Sequence, residues 1–152
     1  MKTLSTNPEC EIINQREIPA SPQEILAAFE DPAVLARWWG PAGFSNTIQS
    51  FDFHPGGEWK YVMHGPDGTD YPNEMKFVET GPEAVVMDHP GPVHEFRLAI
   101  SLEKSGEKTR LIWRMTFKTA EECEKTRPYA PRCNEENLDR LEAALLTMRT
   151  AP

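Results

Sequence analysis

Basic side chains, paired cysteines and long apolar runs are all scarce in this chain. Sixteen Lys and Arg stand against 24 Asp and Glu, giving a formal net charge of −8 and a pI near 5.0. A surface for nucleic acid or for an anionic membrane needs clustered cations, so neither partner is expected. No apolar run follows Met1, and none approaches the length that spans a bilayer, which predicts a cytoplasmic protein. Cys10, Cys123 and Cys133 are odd in number and lack CxxC spacing. They read as free thiols, packed as small apolar residues, rather than a disulfide framework or a nucleophile. His54, His64, His89 and His94 form neither HxH nor HExxH, so no metal is expected. There is no Gly-rich phosphate loop, no Ser–His–Asp order and no pair of inward carboxylates. No cofactor is expected, and no catalytic residue is assigned. Internal repeats and low-complexity segments are also absent. The 152 residues suit one domain, placed at 9–150 behind a flexible N-terminus, 1–8.

What the chain does have is a dense run of strands, clearest between Phe51 and Val78. That stretch reads as three strands joined by two tight connections, His54-Pro-Gly-Gly57 and Gly65-Pro-Asp-Gly68. Trp59, Tyr61 and Met63 alternate with Lys60, Val62 and His64, and Met75 and Phe77 alternate with Lys76 and Val78. Period two with large residues at odd positions gives an antiparallel sheet one aromatic and thioether face. Something must cover that face or bind to it.

Ahead of this run, Glu11 to Ile18 forms a first strand, with Ile12 and Ile18 on one parity. Ser21-Pro-Gln-Glu24 is a capping box with Pro in the first turn, opening a short helix that buries Ile25, Leu26 and Phe29. Asp31 caps a second helix whose inward residues are Val34, Leu35 and Trp38, and Gly40-Pro41 ends it. Six further strands are expected at about 47–53, 57–63, 71–80, 84–89, 93–102 and 109–117. Their turns are short, so they pair as an antiparallel meander. Thr119-Ala-Glu-Glu122 starts another short helix, broken by Pro128 and Pro131. The last helix is expected to begin near Asn134, as its cap, and to reach Met148, roughly 22 Å at 1.5 Å per residue. Leu138, Leu141, Leu145 and Met148 form its apolar stripe.

This order of elements resembles the α+β helix-grip fold of START-like (SRPBCC) proteins: a curved antiparallel sheet of about seven strands wrapped on a long C-terminal helix, with two short helices after the first strand. Trp38-Trp39-Gly40-Pro41, Phe53-His-Pro-Gly-Gly57 with Trp59, His64-Gly-Pro-Asp-Gly68 and Tyr71-Pro72 narrow the resemblance. Together they are similar to bacterial single-domain members of the family of activator-of-heat-shock-ATPase homologues. The resemblance runs from about Ile12 to Leu146 and implies a cavity between the sheet and the final helix, with no single shared chemistry. Two departures stand out. The eukaryotic activator grips its chaperone with a separate N-terminal domain, and these residues leave no stretch for one, which predicts no stimulation of a heat-shock ATPase. Many members carry Arg before Pro-Gly-Gly where this chain has His54.

By parity the inward set is Trp59, Tyr61, Met75, Phe77, Met87, Phe96, Leu98, Trp113, Met115 and Phe117. Most are core and the rest lining, and an excess of Met and aromatics over Val and Ile suits an adaptable lining. Of Trp38 and Trp39, one is expected to anchor the second helix and the other to line the cavity; the sequence does not say which. His89 shares parity with Met87, and if inward it is a polar anchor or a proton carrier. Asn137 flanks the stripe of the last helix and either offers a ligand its amide or serves the helix end. Leu141 and Leu145 are expected to face the sheet across the cavity, Leu141 opposite Trp113. The leading expectation is a non-enzymatic binder of a hydrophobic small molecule. The alternatives are a cyclase- or dehydratase-like enzyme working through His89 or Tyr61 on an aromatic or polyketide-type substrate, and a protein-interaction module such as a chaperone partner or homodimer.

Overall fold

Strand and helix signals at the start of the chain are realised in turn, and they set the helical layer before the sheet is complete. Residues 10–90 and 95–150 are described, in a computed structural model. After β1 (Glu11–Ile18), Ser21 accepts from the Glu24 amide while the Glu24 carboxylate accepts from the Ser21 amide, and α1 (Pro22–Glu30) follows. Asp31 caps α2 (Pro32–Trp38) by accepting from the Ala33 amide. Then come β2 (Ser45–Phe51), β3 (Glu58–His64), β4 (Asp70–Thr80), β5 (Ala84–His89), β6 (Phe96–Ser105) and β7 (Lys108–Phe117). Two helices close the chain, α3 (Ala120–Thr126) and α4 (Ala130–Thr150). The expectations for residues 1–8, for His94 and for a strand start at Val93 lie outside the described residues.

The seven strands form one antiparallel sheet in the order β1-β7-β6-β5-β4-β3-β2. Only β1 is displaced from its sequence position; it closes the sheet beside β7, with Ile12 opposite Met115. The inward parity then lines up across strands. Phe77 pairs with Met87, Met87 with Leu98, Leu98 with Met115, and Met115 with Ile12, a single apolar rung across five strands. The helices α1, α2 and α4 cover this face, and the core lies between the two layers. A smaller cluster of Ala84, Val86 and Ala99, joined by Val78, sits on the other parity.

Strand β6 runs three residues beyond its expected end, to Ser105, and two other boundaries differ from expectation for local reasons. The fourth helix begins at Ala130, not at Asn134. Pro131 falls in its first turn, where a missing N–H breaks no intrahelical bond, so it does not interrupt the helix. Asn134 is consequently one turn inside the helix and buried, not a cap. Strand β2 ends at Phe51 because the Asp52 and His54 amides turn the chain, donating to Glu58 O and Asp52 O.

Candidate functional site

Between the sheet and the N-terminal half of α4 lies a cavity of about 440 Å³. Its floor is the inward face of the sheet: Tyr61 and Met63 from β3, Tyr71, Asn73 and Met75 from β4, His89 from β5, Phe96 and Leu98 from β6, and Trp113, Met115 and Phe117 from β7. The roof is Ala130, Cys133, Asn134 and Asn137, a stripe at three- and four-residue spacing on α4, with Thr126 and Tyr129 beside it. The end wall is the corner between α2 and β2, made by Trp39, Gly40, Pro41 and Phe44. Tyr71 and Tyr129 are 44% and 43% exposed, so the mouth lies on their side.

Trp39 organises the inner end. Its ring stacks on Trp113 at 5.7 Å between centroids and meets Trp59 edge-on at 5.1 Å. Its N–H donates to the Tyr61 hydroxyl at 3.2 Å. Trp38, its neighbour, is wholly buried and donates instead to the Ala28 carbonyl, pinning α2 to α1. The backbone around Trp39 is held from α4. Asn137 Oδ1 accepts from the Gly40 amide and Nδ2 donates to the Trp38 carbonyl, while Arg140 donates to the carbonyls of Arg37, Trp39, Gly40 and Pro41. Gly40 has φ +97°, and a Cβ there would meet the Met63 Cε at 2.8 Å, so the corner admits only glycine without rearrangement.

The polar groups along the walls are few. His89 stacks flat on Phe96, centroids 4.9 Å apart, and its Nε2 lies 2.9 Å from Asn73 Oδ1. Burial raises the Tyr61 phenol pKa far above its ordinary value, and the Trp39 hydrogen bond opposes this only in part. Burial likewise pushes the Cys133 thiol up, so both stay protonated near neutral pH. Cys10, Cys123 and Cys133 are unpaired thiols. Among the described residues no charged side chain lines the cavity, and no group of His, Cys, Asp and Glu is arranged to hold a metal ion.

Of the residues singled out in the sequence, Trp39, Tyr61, Met75, His89, Phe96, Trp113, Met115 and Asn137 meet around this cavity. Trp38, Trp59, Phe77, Met87, Leu141 and Leu145 do not line it. Trp59, Phe77 and Met87 carry the inward parity but are fully buried, Trp59 and Phe77 against Phe51, Phe77 also against Phe53, and Met87 between Phe77 and Leu98 in the sheet. Leu141 and Leu145 belong to the C-terminal half of α4, which packs on α1 and α2, so Leu141 does not face Trp113 across open space. The earlier helix start moves the roof back by a turn or more, to 130–137. Asn14, Asn73, Tyr129, Cys133 and Asn134 escaped the sequence reading. Asn14 shares the parity of Ile12 and Ile18, and that polar residue at an inward position was the available signal.

The family model for the Activator of Hsp90 ATPase homolog 1-like protein matches residues 19–146. No curated protein sequence matches the chain. Among solved structures, a protein of Arthrobacter aurescens is 26% identical, with TM-score 0.83, over 91% of this chain and 87% of its own. A Nitrosomonas europaea protein superposes with TM-score 0.84 at 21% identity, over 95% and 99% of the two chains. The AHSA1 protein of Silicibacter pomeroyi gives TM-score 0.71 at 22% identity, over 91% and 99%. The last two show a common fold and nothing more.

Proposed function

The chain belongs to the Activator of Hsp90 ATPase homolog 1-like family, and from that premise we propose that it binds a hydrophobic small molecule, without transforming it, in the cavity under α4. The observation that carries this reading is the lining itself. About 440 Å³ bounded by aromatic rings, three methionines and no charged side chain suits an apolar guest of drug-like size. Methionine and aromatic surfaces adapt to guests of different shape. Two polar groups of the lining are not activated: burial favours the neutral forms of the Tyr61 phenol and the Cys133 thiol. The three unpaired thiols favour a reducing compartment, the cytoplasm. No described helix is long and apolar enough to cross a membrane.

A cyclase- or dehydratase-like reaction is the second reading, favoured by one observation: Tyr61 and His89 both line the same cavity. Native mass spectrometry of freshly purified protein, followed by extraction and incubation with the recovered guest, separates the two. A guest that co-purifies and returns unchanged supports the binder. Turnover of that guest that disappears in His89→Gln or Tyr61→Phe replaces it with the enzyme. Protein that carries no guest and takes up no apolar fluorescent probe refutes both.

A further inference from the structure

The cavity has a polar complement, and among the described residues two of its groups stand out, a buried hydroxyl donor and an amide acceptor that their neighbours leave unused. The side chain of Tyr61 is only 2% exposed. Indole N–H is a donor only, so in its contact with Trp39 the Tyr61 oxygen is the acceptor. Its own O–H proton then finds no acceptor among the described residues, an expensive arrangement for a buried donor unless something else accepts it.

Asn134 presents the opposite case from the roof. Asn14 donates its amide N–H groups to the Pro131 carbonyl and the Glu135 carboxylate, which fixes the Asn14 oxygen as an acceptor. That oxygen receives Asn134 Nδ2, which also reaches the Met115 sulfur at 3.5 Å. The orientation of the Asn134 amide is therefore dictated by its neighbours, and its oxygen accepts nothing among the described residues. Other amides on the walls are occupied: Asn137 at both ends, and Asn73 by His89 and by the Tyr71 carbonyl.

We propose that the guest is a neutral aromatic molecule carrying two separate polar groups, a carbonyl-type acceptor taken by the Tyr61 hydroxyl and a hydroxyl or N–H donor taken by the Asn134 oxygen. The charge-free lining selects against ions, which would lose hydration without a counter-charge. The stacked indoles of Trp39 and Trp113 favour a flat ring between those anchors. This inference rests on the binding reading above and names the chemistry of what is bound.

Three naphthalenes of matched size test it by calorimetric titration. 6-Acetyl-2-naphthol carries both groups, its methyl ether lacks the donor, and 6-ethyl-2-naphthol lacks the acceptor. Wild-type protein is expected to bind the first about tenfold more tightly than either analogue. Tyr61→Phe should lose that factor for the ketone and leave 6-ethyl-2-naphthol unaffected. Asn134→Ala should lose it for the naphthol ketone and leave the methyl ether unaffected; should that variant not fold, the wild-type series with Tyr61→Phe decides. Equal affinity for all three compounds, unaltered by Tyr61→Phe, overturns the polar anchors and leaves an unselective apolar binder. Absence of binding by any of the three overturns the anchors together with the binding reading.

Discussion

Asn137 holds the backbone on both sides of Trp39: its amide bridges the carbonyl of the residue before, Trp38, and the N–H of the residue after, Gly40, at 2.7 and 3.1 Å. The long helix and the corner that walls the cavity are thereby one unit, and the first prediction tests it. Asn137→Leu leaves two buried backbone groups unpaired and should cost about 2–4 kcal/mol in urea melts. Binding of an apolar fluorescent probe should weaken in parallel, because the end wall loses its fixed geometry. Asn137→Leu with unchanged probe affinity would show that Trp39 is held by ring packing alone.

Leu141 and Trp113 should respond differently to truncation. Leu141 is fully buried away from the cavity, so Leu141→Ala should destabilise by about 3–5 kcal/mol and leave probe binding nearly intact in the folded fraction. Trp113 already borders open space and stacks on Trp39. Trp113→Ala should therefore cost less than a fully packed tryptophan, about 2–3 kcal/mol, while weakening the probe severely. Paired denaturant melts and probe titrations on both variants make the comparison. Equal effects on both quantities would mean that the cavity does not separate the two residues.

Gly40 is the tightest point of the corner. Gly40→Ala forces a side chain into left-handed backbone and against Met63, which should lower stability by about 1–3 kcal/mol. Gly40→Ala/Met63→Ala removes the collision but not the backbone strain, so it should recover part of the loss beyond the separate cost of Met63→Ala. A double-mutant cycle measures that coupling, and additive losses would rule out the contact.

One acid-sensitive contact of the surface lies at the far end of α4. Glu24 accepts two hydrogen bonds from Arg149 and one from the Ser21 amide, and these hold its carboxyl pKa down at about 2. A folded pKa below the unfolded value stabilises the fold above the unfolded pKa, and this stability is lost as pH falls through the folded one. Glu24→Gln should lower stability at pH 6, by no more than about 1 kcal/mol because the pair is open to solvent. The gap should narrow below about pH 4.5 and close towards pH 2. A gap that persists undiminished at pH 2 would assign the effect to the helix cap rather than to charge.

Cys133 reports on occupancy of the cavity. Its thiol lines the roof and its raised pKa keeps it protonated, so alkylation by iodoacetamide at pH 7 should be slower than for a free cysteine. Cys10 and Cys123 are buried in the core and should react only on unfolding. A bound probe should slow Cys133 further, read by peptide mass mapping. Labelling at an unchanged rate with probe bound would place the probe elsewhere.

Much of the fold was legible because its determinants are local. Alternation of Leu111, Trp113, Met115 and Phe117 follows from the pleat alone, and Ser21 with Glu24 announces a helix start within four residues. A first strand, a meander of six more, three short helices and a final long one follow from signals of that range, and the structure has them all. The motifs from Trp38 to Tyr71 led to the family for the same reason: each is a contiguous run.

The cavity depended on distances along the chain that no local pattern encodes. Inward parity gives Trp59 and Tyr61 the same face, yet only Tyr61 borders the void, while its neighbour is packed edge-on against Phe51, itself stacked on Phe53. The roof moved from Leu141 and Leu145 to Ala130, Cys133, Asn134 and Asn137 once Pro131 entered the first turn of α4. Asn14 and Asn134 meet across 120 residues, and their amides acquire direction only from the Pro131 carbonyl and Glu135 beside them. Backbone sterics and side-chain period act over a few residues and write themselves into the sequence. Which buried groups remain without a partner is decided only when distant elements have packed.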